Sequence, residues 1–142
     1  MEPVSHSRVA DLATLSAVVA AGCTFLGWVT SGRSVRSSYG LFQAAGRAGL
    51  LPDSVEKLGL LFFFVPAVAG AAMVAAALGR GRLAATLALV VGVATTTAAL
   101  LVVLSPLSVR IPAMVAGIAG ALAAGASLVV LAARTDRQVR DR

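Results

Sequence analysis

The sequence predicts an all-α protein, an integral membrane four-helix bundle with a long extracytoplasmic loop between helices 1 and 2. Composition is the first observation behind this fold class: of the 142 residues, 58% are hydrophobic and only 13% are charged. A soluble domain usually carries about 25% charged residues. The composition therefore excludes an ordinary soluble enzyme, a disordered chain and a secreted disulfide scaffold.

The positions of the charges are the second observation. The 12 basic and 6 acidic residues leave four charge-free segments of 21, 22, 27 and 23 residues. About 20 apolar residues in a helix cross a hydrocarbon core roughly 30 Å thick, and a spanning helix satisfies its own backbone polar groups. We therefore expect a single membrane domain, residues 1–142, with transmembrane helices over about residues 12–30, 54–78, 83–104 and 112–133.

Local signals mark the helix boundaries. Asp53 and Glu56 form a capping-box pattern that predicts the start of the second helix. Residues 79–82 read Gly-Arg-Gly-Arg, which predicts a tight turn between helices 2 and 3. Pro112 suits the first turn of helix 4, because a proline there lacks only an N–H that has no helical partner.

The basic residues predict the orientation. If all four helices cross, the N-terminal segment, the turn at 79–82 and the basic tail at 134–142 share one side, which carries seven arginines. The opposite side carries five basic residues spread over a longer stretch. Because basic residues near helix ends favour the cytoplasmic side, we expect a protein of the bacterial plasma membrane with both termini in the cytoplasm.

The aromatic residues are confined to one part of the chain. All seven lie between residues 25 and 64, which cover the end of helix 1, the loop and the start of helix 2. Aromatic rings favour the membrane–water boundary, so this pattern predicts half of an aromatic belt at one interface. Packing of the phenylalanines between helices is the alternative.

The loop at residues 31–52 contains most of the candidate interaction residues. Its first part, residues 31–38, is rich in Ser, Gly and Arg and is expected to be irregular. Ser38 can cap a short interfacial helix from Tyr39 to about Leu50. The loop arginines could contact lipid phosphates or acidic groups of a partner, or the loop could simply pack over the bundle. The candidate interaction residues are Trp28, Arg33, Arg36, Tyr39, Phe42 and Arg47.

The same region carries a resemblance to a known group. The pattern of Trp28, Ser31, Gly32, Arg36–Tyr39 and Leu50, followed by a helix with an internal proline, resembles small uncharacterised four-helix membrane proteins of actinobacteria. The composition, rich in Ala, Arg, Gly and Val, points to the same group. The resemblance implies the four-helix layout, and the group brings no established activity.

The apolar segments offer little chemistry. They contain no Asp, Glu, Lys, Arg or His, whereas ionisable residues at membrane depth are typical of proton relays and ion coupling. This argues against a proton-coupled exporter and an intramembrane metal site. One histidine, His6, and one cysteine, Cys23, do not make a nucleophile and base. We expect no catalytic residue, no cofactor and no metal.

Cys23 allows two interpretations. It follows Ala20, Ala21 and Gly22, a pattern that imitates a lipoprotein cleavage box. The chain stays apolar after the cysteine, which favours a plain helical cysteine over a lipidated one.

The basic tail predicts contact with an anionic leaflet rather than nucleic acid, because the other cations lie on both sides of the membrane.

Small residues repeat every four positions along helices 3 and 4. In helix 3 the repeat runs from Ala84 to Thr96 through Gly92, and in helix 4 it runs from Ala113 to Gly125. Such faces let helix backbones approach in lipid, so we expect packing within the bundle, with homo-oligomerisation as the alternative. The candidate packing residues are Gly92, Gly117, Ala121 and Gly125.

Two features at membrane depth are candidates for a hinge or a polar path. Pro66 cannot donate to the carbonyl of Phe62, so we expect a bend in helix 2. Thr95, Thr96 and Thr97 form a polar cluster whose hydroxyls can bond to carbonyls one turn back or line a water path.

These observations leave three functions open. The first is a structural or accessory membrane subunit that acts by contact with lipid or with another membrane protein. The second is a small oligomeric channel or transporter, and the third, less favoured, is a holin-like permeabiliser of the membrane. We do not expect an enzyme, because no set of acid, base and nucleophile can be assembled. The oligomeric state stays open.

Overall fold

The computed structural model describes residues 6–31, 34–40, 43, 62–104 and 108–140, and these are mostly helical, as expected. Residues 134–140 are described as helical backbone. Four helices of 13 to 30 residues and three short strands lie in the described ranges. In chain order the elements are α1 (His6–Cys23), β1 (Gly27–Ser31), β2 (Ser34–Ser37), α2 (Val65–Ala77), α3 (Gly81–Val103), β3 (Ser108–Val109) and α4 (Ile111–Arg140).

The four helices pack side by side. Helices α1 and α3 each contact all three other helices. Ala10 of α1, Ala85 of α3 and Val130 of α4 form a contact cluster, with Val9 and Leu131 against it. The beginning of α1, the beginning of α3 and the later part of α4 therefore lie at one end of the bundle, and we call this the helix-turn end.

Small side chains fill the interior, and large ones face outward. Among the described residues, 24 hydrophobic side chains are buried, and 17 of these are alanines. No leucine, isoleucine or methionine belongs to this buried set of the described chain. Leu104 is 81% exposed, Ile111 76% and Leu78 67%. Alanine faces bring the backbones close together, so the helices associate through contact of small residues.

Two helices of the described chain are long and apolar enough to cross a membrane. They are Gly81–Val103 and Ile111–Ala133 within α4, each with 23 residues. In the most apolar 18-residue stretch of each helix, only 39% and 33%, respectively, is buried inside the protein. The core helix of a soluble protein passes the same test of length and composition, but such a helix is mostly buried. Helix α2 is apolar and has 13 residues, fewer than a span needs.

The helix boundaries differ from those predicted at three points. Helix α1 begins at His6, with Asp11 inside it, and ends at Cys23, not near residue 30. Residues 27–31 form a strand instead, in keeping with the β-branched and aromatic side chains of this segment. Helix α4 continues through the expected tail to Arg140. The capping box at 53–56 lies outside the described residues.

A small sheet closes the end of the bundle opposite the helix-turn end, and the sequence did not predict it. The strand order is β2-β1-β3, and both pairs are antiparallel. Val29 pairs with Arg36 on one side and with Val109 on the other. The expectation of an irregular segment over 31–38 is wrong for Ser31, which belongs to β1, and for Ser34–Ser37, because the backbone there pairs with β1 as an antiparallel strand.

Candidate functional site

Five aromatic rings cluster at the sheet end of the bundle. Tyr39 lies at the centre, with its ring centroid 4.8 Å from that of Phe63, 5.4 Å from Phe25 and 5.8 Å from Phe62. Trp28 meets Phe62 edge-on at 6.4 Å. We call these five residues the aromatic cluster. Aromatic pairs at such separations add to the free energy of packing beyond the apolar area that they bury.

Buried hydroxyl groups tie the loop to the end of α1. The hydroxyl of Thr24 donates to the carbonyl of Ala21 at 2.6 Å, so the Tyr39 hydroxyl donates to Thr24 Oγ1 at 3.0 Å. Ser38 Oγ donates to the carbonyl of Thr24 at 2.8 Å. Thr24 and Ser38 are fully buried, and each hydroxyl has a partner. The network therefore holds Tyr39 in place within the aromatic cluster.

Ser37, not Ser38, caps the short helical segment that begins at residue 38. The backbone N–H of Gly40 donates to Ser37 Oγ at 3.4 Å. The Ser38 hydroxyl points instead to the carbonyl of Thr24, which lies across the loop. The prediction of Ser38 as the cap is wrong by one residue, because this long-range bond competes with the local one.

Trp28 is part of the interior and does not form an exposed contact surface. Its side chain is fully buried. Its indole Nε1 donates to the carbonyl of Cys23, the last residue of α1, at 2.8 Å. Its own carbonyl accepts from the backbone N–H of Arg110 at 2.9 Å. Trp28 therefore joins the end of α1 to the start of α4.

The exposed surface at this end combines cations with apolar rings. Arg36 on β2 and Arg110 before α4 are both exposed. Phe25 and Phe64 are exposed as well, and Tyr39 is half-buried. The other candidate interaction residues, Arg33, Phe42 and Arg47, lie outside the described residues. No group of three metal-ligating side chains occurs among the described residues.

A second organised region is the contact between α3 and α4. A Cβ atom at Gly92 would lie 2.6 Å from the carbonyl oxygen of Gly120 and 2.7 Å from the backbone nitrogen of Ala124. A Cβ at Gly120 would collide with Thr95 Oγ1 and lie 2.7 Å from Thr96 Oγ1. The backbones can come this close only because both positions are glycines. Sequence reasoning missed Gly120, because it lies outside the four-residue repeat.

The four-residue repeat on α4 does not follow the buried face. Ala121 and Gly125 are exposed, and a Cβ at Gly125 would meet nothing within 4 Å. At Gly117 a Cβ would lie 3.0 Å from that of Ala99. Each step of four residues turns roughly 40° around the helix, so the repeat leaves the interface after two steps. The buried face follows steps of three and four residues through Ala113, Ala116, Gly120, Ala123, Ser127 and Val130, and Ala119 beside Gly120 is buried as well.

The three threonines point in different directions. Thr95 is fully buried, and its hydroxyl donates to the carbonyl of Val91 at 2.8 Å, as expected for a bond one turn back. Thr96 is half-buried and donates across to the carbonyl of Gly117 on α4 at 3.4 Å. Thr97 is exposed. The hydroxyls of Thr95 and Thr96 therefore bond to helix backbones, and the three threonines do not line one common path.

Pro66 lies in the first turn of α2. The helix begins at Val65, after a turn at Phe63 and Phe64 that separates it from helical Phe62. The N–H of Val68 donates to the carbonyl of Phe64 at 2.9 Å. The helical backbone is thus interrupted where a bend was expected, because Pro66 has no N–H to continue it. Hinge motion at this point stays a prediction.

Ser127 on α4 carries a buried polar atom without a partner. Its side chain is fully buried, and its hydroxyl makes no hydrogen bond within the described part of the protein. Thr14, also buried, donates to the carbonyl of Ala10 at 2.9 Å. An unpaired buried hydroxyl costs about 1–3 kcal/mol of stability. Ser127 therefore lowers the free energy of unfolding of the bundle.

Comparison with known proteins gives no indication of the function. No protein-family model, no curated protein and no solved structure matches it. The resemblance to four-helix membrane proteins of actinobacteria stays an expectation.

Proposed function

We propose that the chain is a multi-pass integral protein of the bacterial plasma membrane. In this proposal the chain crosses four times as a four-helix bundle, and the second crossing consists of α2 together with the apolar residues from Leu58 that precede it in the sequence. Both termini are cytoplasmic, and the protein acts by contact as a structural or accessory subunit. The observation that carries the proposal is the distribution of side-chain size, with alanine inside and leucine, isoleucine and methionine outside. No catalytic step is assigned.

The energetics of exposure support a lipid environment. Burying one large apolar side chain is worth about 1.5–3 kcal/mol in water. Twenty-five large apolar side chains are exposed in the described part of the chain, and water would disfavour every one of them. In lipid there is no such penalty, and helices associate through small residues, as α3 and α4 do at Gly92 and Gly120.

The sheet end also suits a membrane boundary. Strand β1 is the central strand, paired with β2 on one side and β3 on the other. Non-helical backbone near a bilayer is tolerated where its polar groups are paired within the protein. The buried Trp28 and the exposed Arg36 and Arg110 lie at this end. It is the surface on which we propose that a protein partner binds.

Thiol accessibility tests the membrane proposal. In a Cys23→Ser background, we would label Val93→Cys and Leu122→Cys with a membrane-impermeant maleimide. Membrane fragments are used, so that the reagent reaches both faces of the bilayer. These positions lie mid-helix on α3 and α4 and are 53% and 55% exposed in the isolated protein. We expect them to be protected in membranes and labelled after denaturation.

Arg82→Cys is the matched control, because Arg82 is exposed at the helix-turn end. We expect rapid labelling there under all conditions. If Val93→Cys and Leu122→Cys react as fast as Arg82→Cys, water covers the helices and the membrane proposal is wrong.

Reciprocal purification in mild detergent tests action by contact. We expect a stoichiometric membrane complex that Arg36→Glu weakens at the sheet end and that Asp11→Lys, a charge reversal at an exposed position of the helix-turn end, leaves intact. A lone protein recovered in repeated purifications would argue against an accessory subunit. Equal losses for both variants would place the contact elsewhere.

The channel or transporter alternative finds no specific support among the described residues. Its candidate path used the threonine cluster, yet Thr95 bonds within α3 and Thr96 bonds to α4. This alternative predicts that the reconstituted protein passes ions or solutes and that substitution of all three threonines by valine reduces the flux. A holin-like function predicts collapse of the membrane potential on induced expression.

A further inference from the structure

We propose that the helix-turn end of the bundle binds the phosphate groups of anionic phospholipids through Arg8, Arg80 and Arg82. We call these three residues the basic collar. The inference rests on the proposed membrane location and adds a specific lipid partner to it.

The fold brings the collar together from distant parts of the chain. Ala10, Ala85 and Val130 are in contact at the helix-turn end. Arg8 precedes Ala10 by two residues on α1, and Arg82 precedes Ala85 by three on α3, while Arg80 is the residue before α3. The three arginines therefore flank one contact cluster. The sequence placed these segments on one side only on the condition that all four helices cross, and the structure adds the direct contact of α1, α3 and α4 at this end.

The collar arginines are available to a ligand. Arg8, Arg80 and Arg82 are all exposed, and no ion pair joins them to a carboxylate among the described side chains. Asp11, on the same end of α1, is exposed as well. A guanidinium group is planar and donates two parallel N–H bonds to a phosphate, so arginine suits this partner better than lysine does.

The collar also lies at the depth where lipid phosphates are found. Leu12 follows Arg8 by one turn, and Leu83 follows Arg80 by three residues; both leucines are exposed. Leu78 precedes the turn and is exposed too. If these leucines contact acyl chains, the arginines stand at the boundary between hydrocarbon and headgroups.

Helix α4 extends the basic character of the same end. Val130 and Leu131 belong to the contact cluster at the helix-turn end, and the helix continues beyond them to Arg140. Arg134, Arg137 and Arg140 follow in this continuation of the sequence. A juxtamembrane arginine near an anionic surface is worth about a fivefold preference, so several together select strongly for anionic lipid.

Native mass spectrometry of the full-length protein tests the collar. The protein would be released from detergent after equilibration with phosphatidylglycerol or with phosphatidylcholine, and the retained lipids counted. We expect preferential retention of phosphatidylglycerol, with an apparent affinity that falls by roughly tenfold or more in R80Q/R82Q and further with R8Q. R80K/R82K keeps the charge and should retain most of the binding.

The matched control is R36Q/R110Q, which removes two exposed arginines from the sheet end. We expect it to change retention by less than about twofold, well below the roughly fivefold value of one collar arginine, because Arg36 and Arg110 lie at the opposite end of the bundle. Equal losses in both double variants, or no loss in R80Q/R82Q, would overturn the proposal. Displacement of the lipid by millimolar inorganic phosphate would show that the collar takes a free phosphate anion and not a lipid.

The two proposals fail independently. Rapid labelling of Val93→Cys and Leu122→Cys in membranes would refute the membrane location itself. Protection of those thiols together with unchanged lipid retention in R80Q/R82Q would refute the collar alone.

Discussion

At the scale of single residues, helices α3 and α4 pack closely at glycines, which have no side chain. Gly92 on α3 faces the backbone of Gly120 and Ala124 on α4. Gly125, the residue after Ala124, faces open space. The two glycines have the same intrinsic helix propensity, so they differ only in what surrounds them.

Alanine substitution should separate these two positions. Gly92→Ala places a methyl group 2.6 Å from a backbone oxygen, and overpacking of this kind costs about 1–3 kcal/mol. Gly125→Ala meets nothing and should gain up to about 1 kcal/mol, because alanine favours the helix. Thermal unfolding in detergent measures both. Equal changes would mean that α3 and α4 do not pack at Gly92.

Ser127 and Ser38 make a second pair, both fully buried. Ser127 has no hydrogen-bond partner, and Ser38 donates to the carbonyl of Thr24. Ser127→Ala should raise the free energy of unfolding by about 1 kcal/mol, and Ser38→Ala should lower it by about the same amount. Denaturant titration followed by circular dichroism gives both values. Destabilisation by Ser127→Ala would show that this hydroxyl is bonded after all.

At the scale of elements, Tyr39 joins three segments of the chain. Its hydroxyl bonds to Thr24 after α1, and its ring packs on Phe62 and Phe63 before α2. Tyr39→Phe keeps the rings and loses one hydrogen bond, at a cost of about 1 kcal/mol. Tyr39→Ala also loses the ring contacts and, because Tyr39 is half-buried, should cost up to about 3 kcal/mol.

The fluorescence of Trp28 reports on the aromatic cluster, because Trp28 is the one tryptophan of the chain and belongs to this cluster. Its fluorescence should shift toward longer wavelength in Tyr39→Ala as water reaches the cluster, and stay unchanged in Tyr39→Phe. An unchanged spectrum in Tyr39→Ala would mean that Trp28 is held independently of Tyr39.

The elements also show how far the sequence can predict this fold. The charge-free segments predicted the approximate positions of α3 and α4, because hydropathy is a local property of the chain. The sheet depends on pairing of Val29 with Val109, 80 positions apart in the sequence. No local pattern contains that pairing, so the prediction extended helix 1 into β1.

The candidate site was predicted in part for the same reason. The spacing of aromatic residues indicated one shared region, and five of them do form the aromatic cluster. Trp28 is buried where its backbone bonds to Arg110, which is distant in the sequence, so no local pattern could predict its burial. On α4, a repeat of four residues was expected to mark the packing face, but the true face alternates steps of three and four, which keeps it nearly parallel to the helix axis.

At the scale of the whole molecule, the bundle inverts the usual relation between side-chain size and burial. A soluble bundle places leucine inside and charged residues outside. Here the interior is mainly alanine, and exposed leucines run along the helices. Such a surface is stable only if something apolar covers it, and in the proposed function that cover is lipid.

A charge placed at two depths tests this directly. Leu122 is at the middle of the apolar part of α4, and Leu104 is just beyond the end of α3; both are exposed. Leu122→Lys should reduce membrane insertion by the cost of a mid-helix lysine, about 2.5–3.5 kcal/mol. Leu104→Lys should have little effect, because its long side chain reaches the boundary. The fraction of each variant that resists alkaline extraction measures this. In a soluble protein both lysines would be harmless, so equal extraction of the two variants would exclude the membrane bundle.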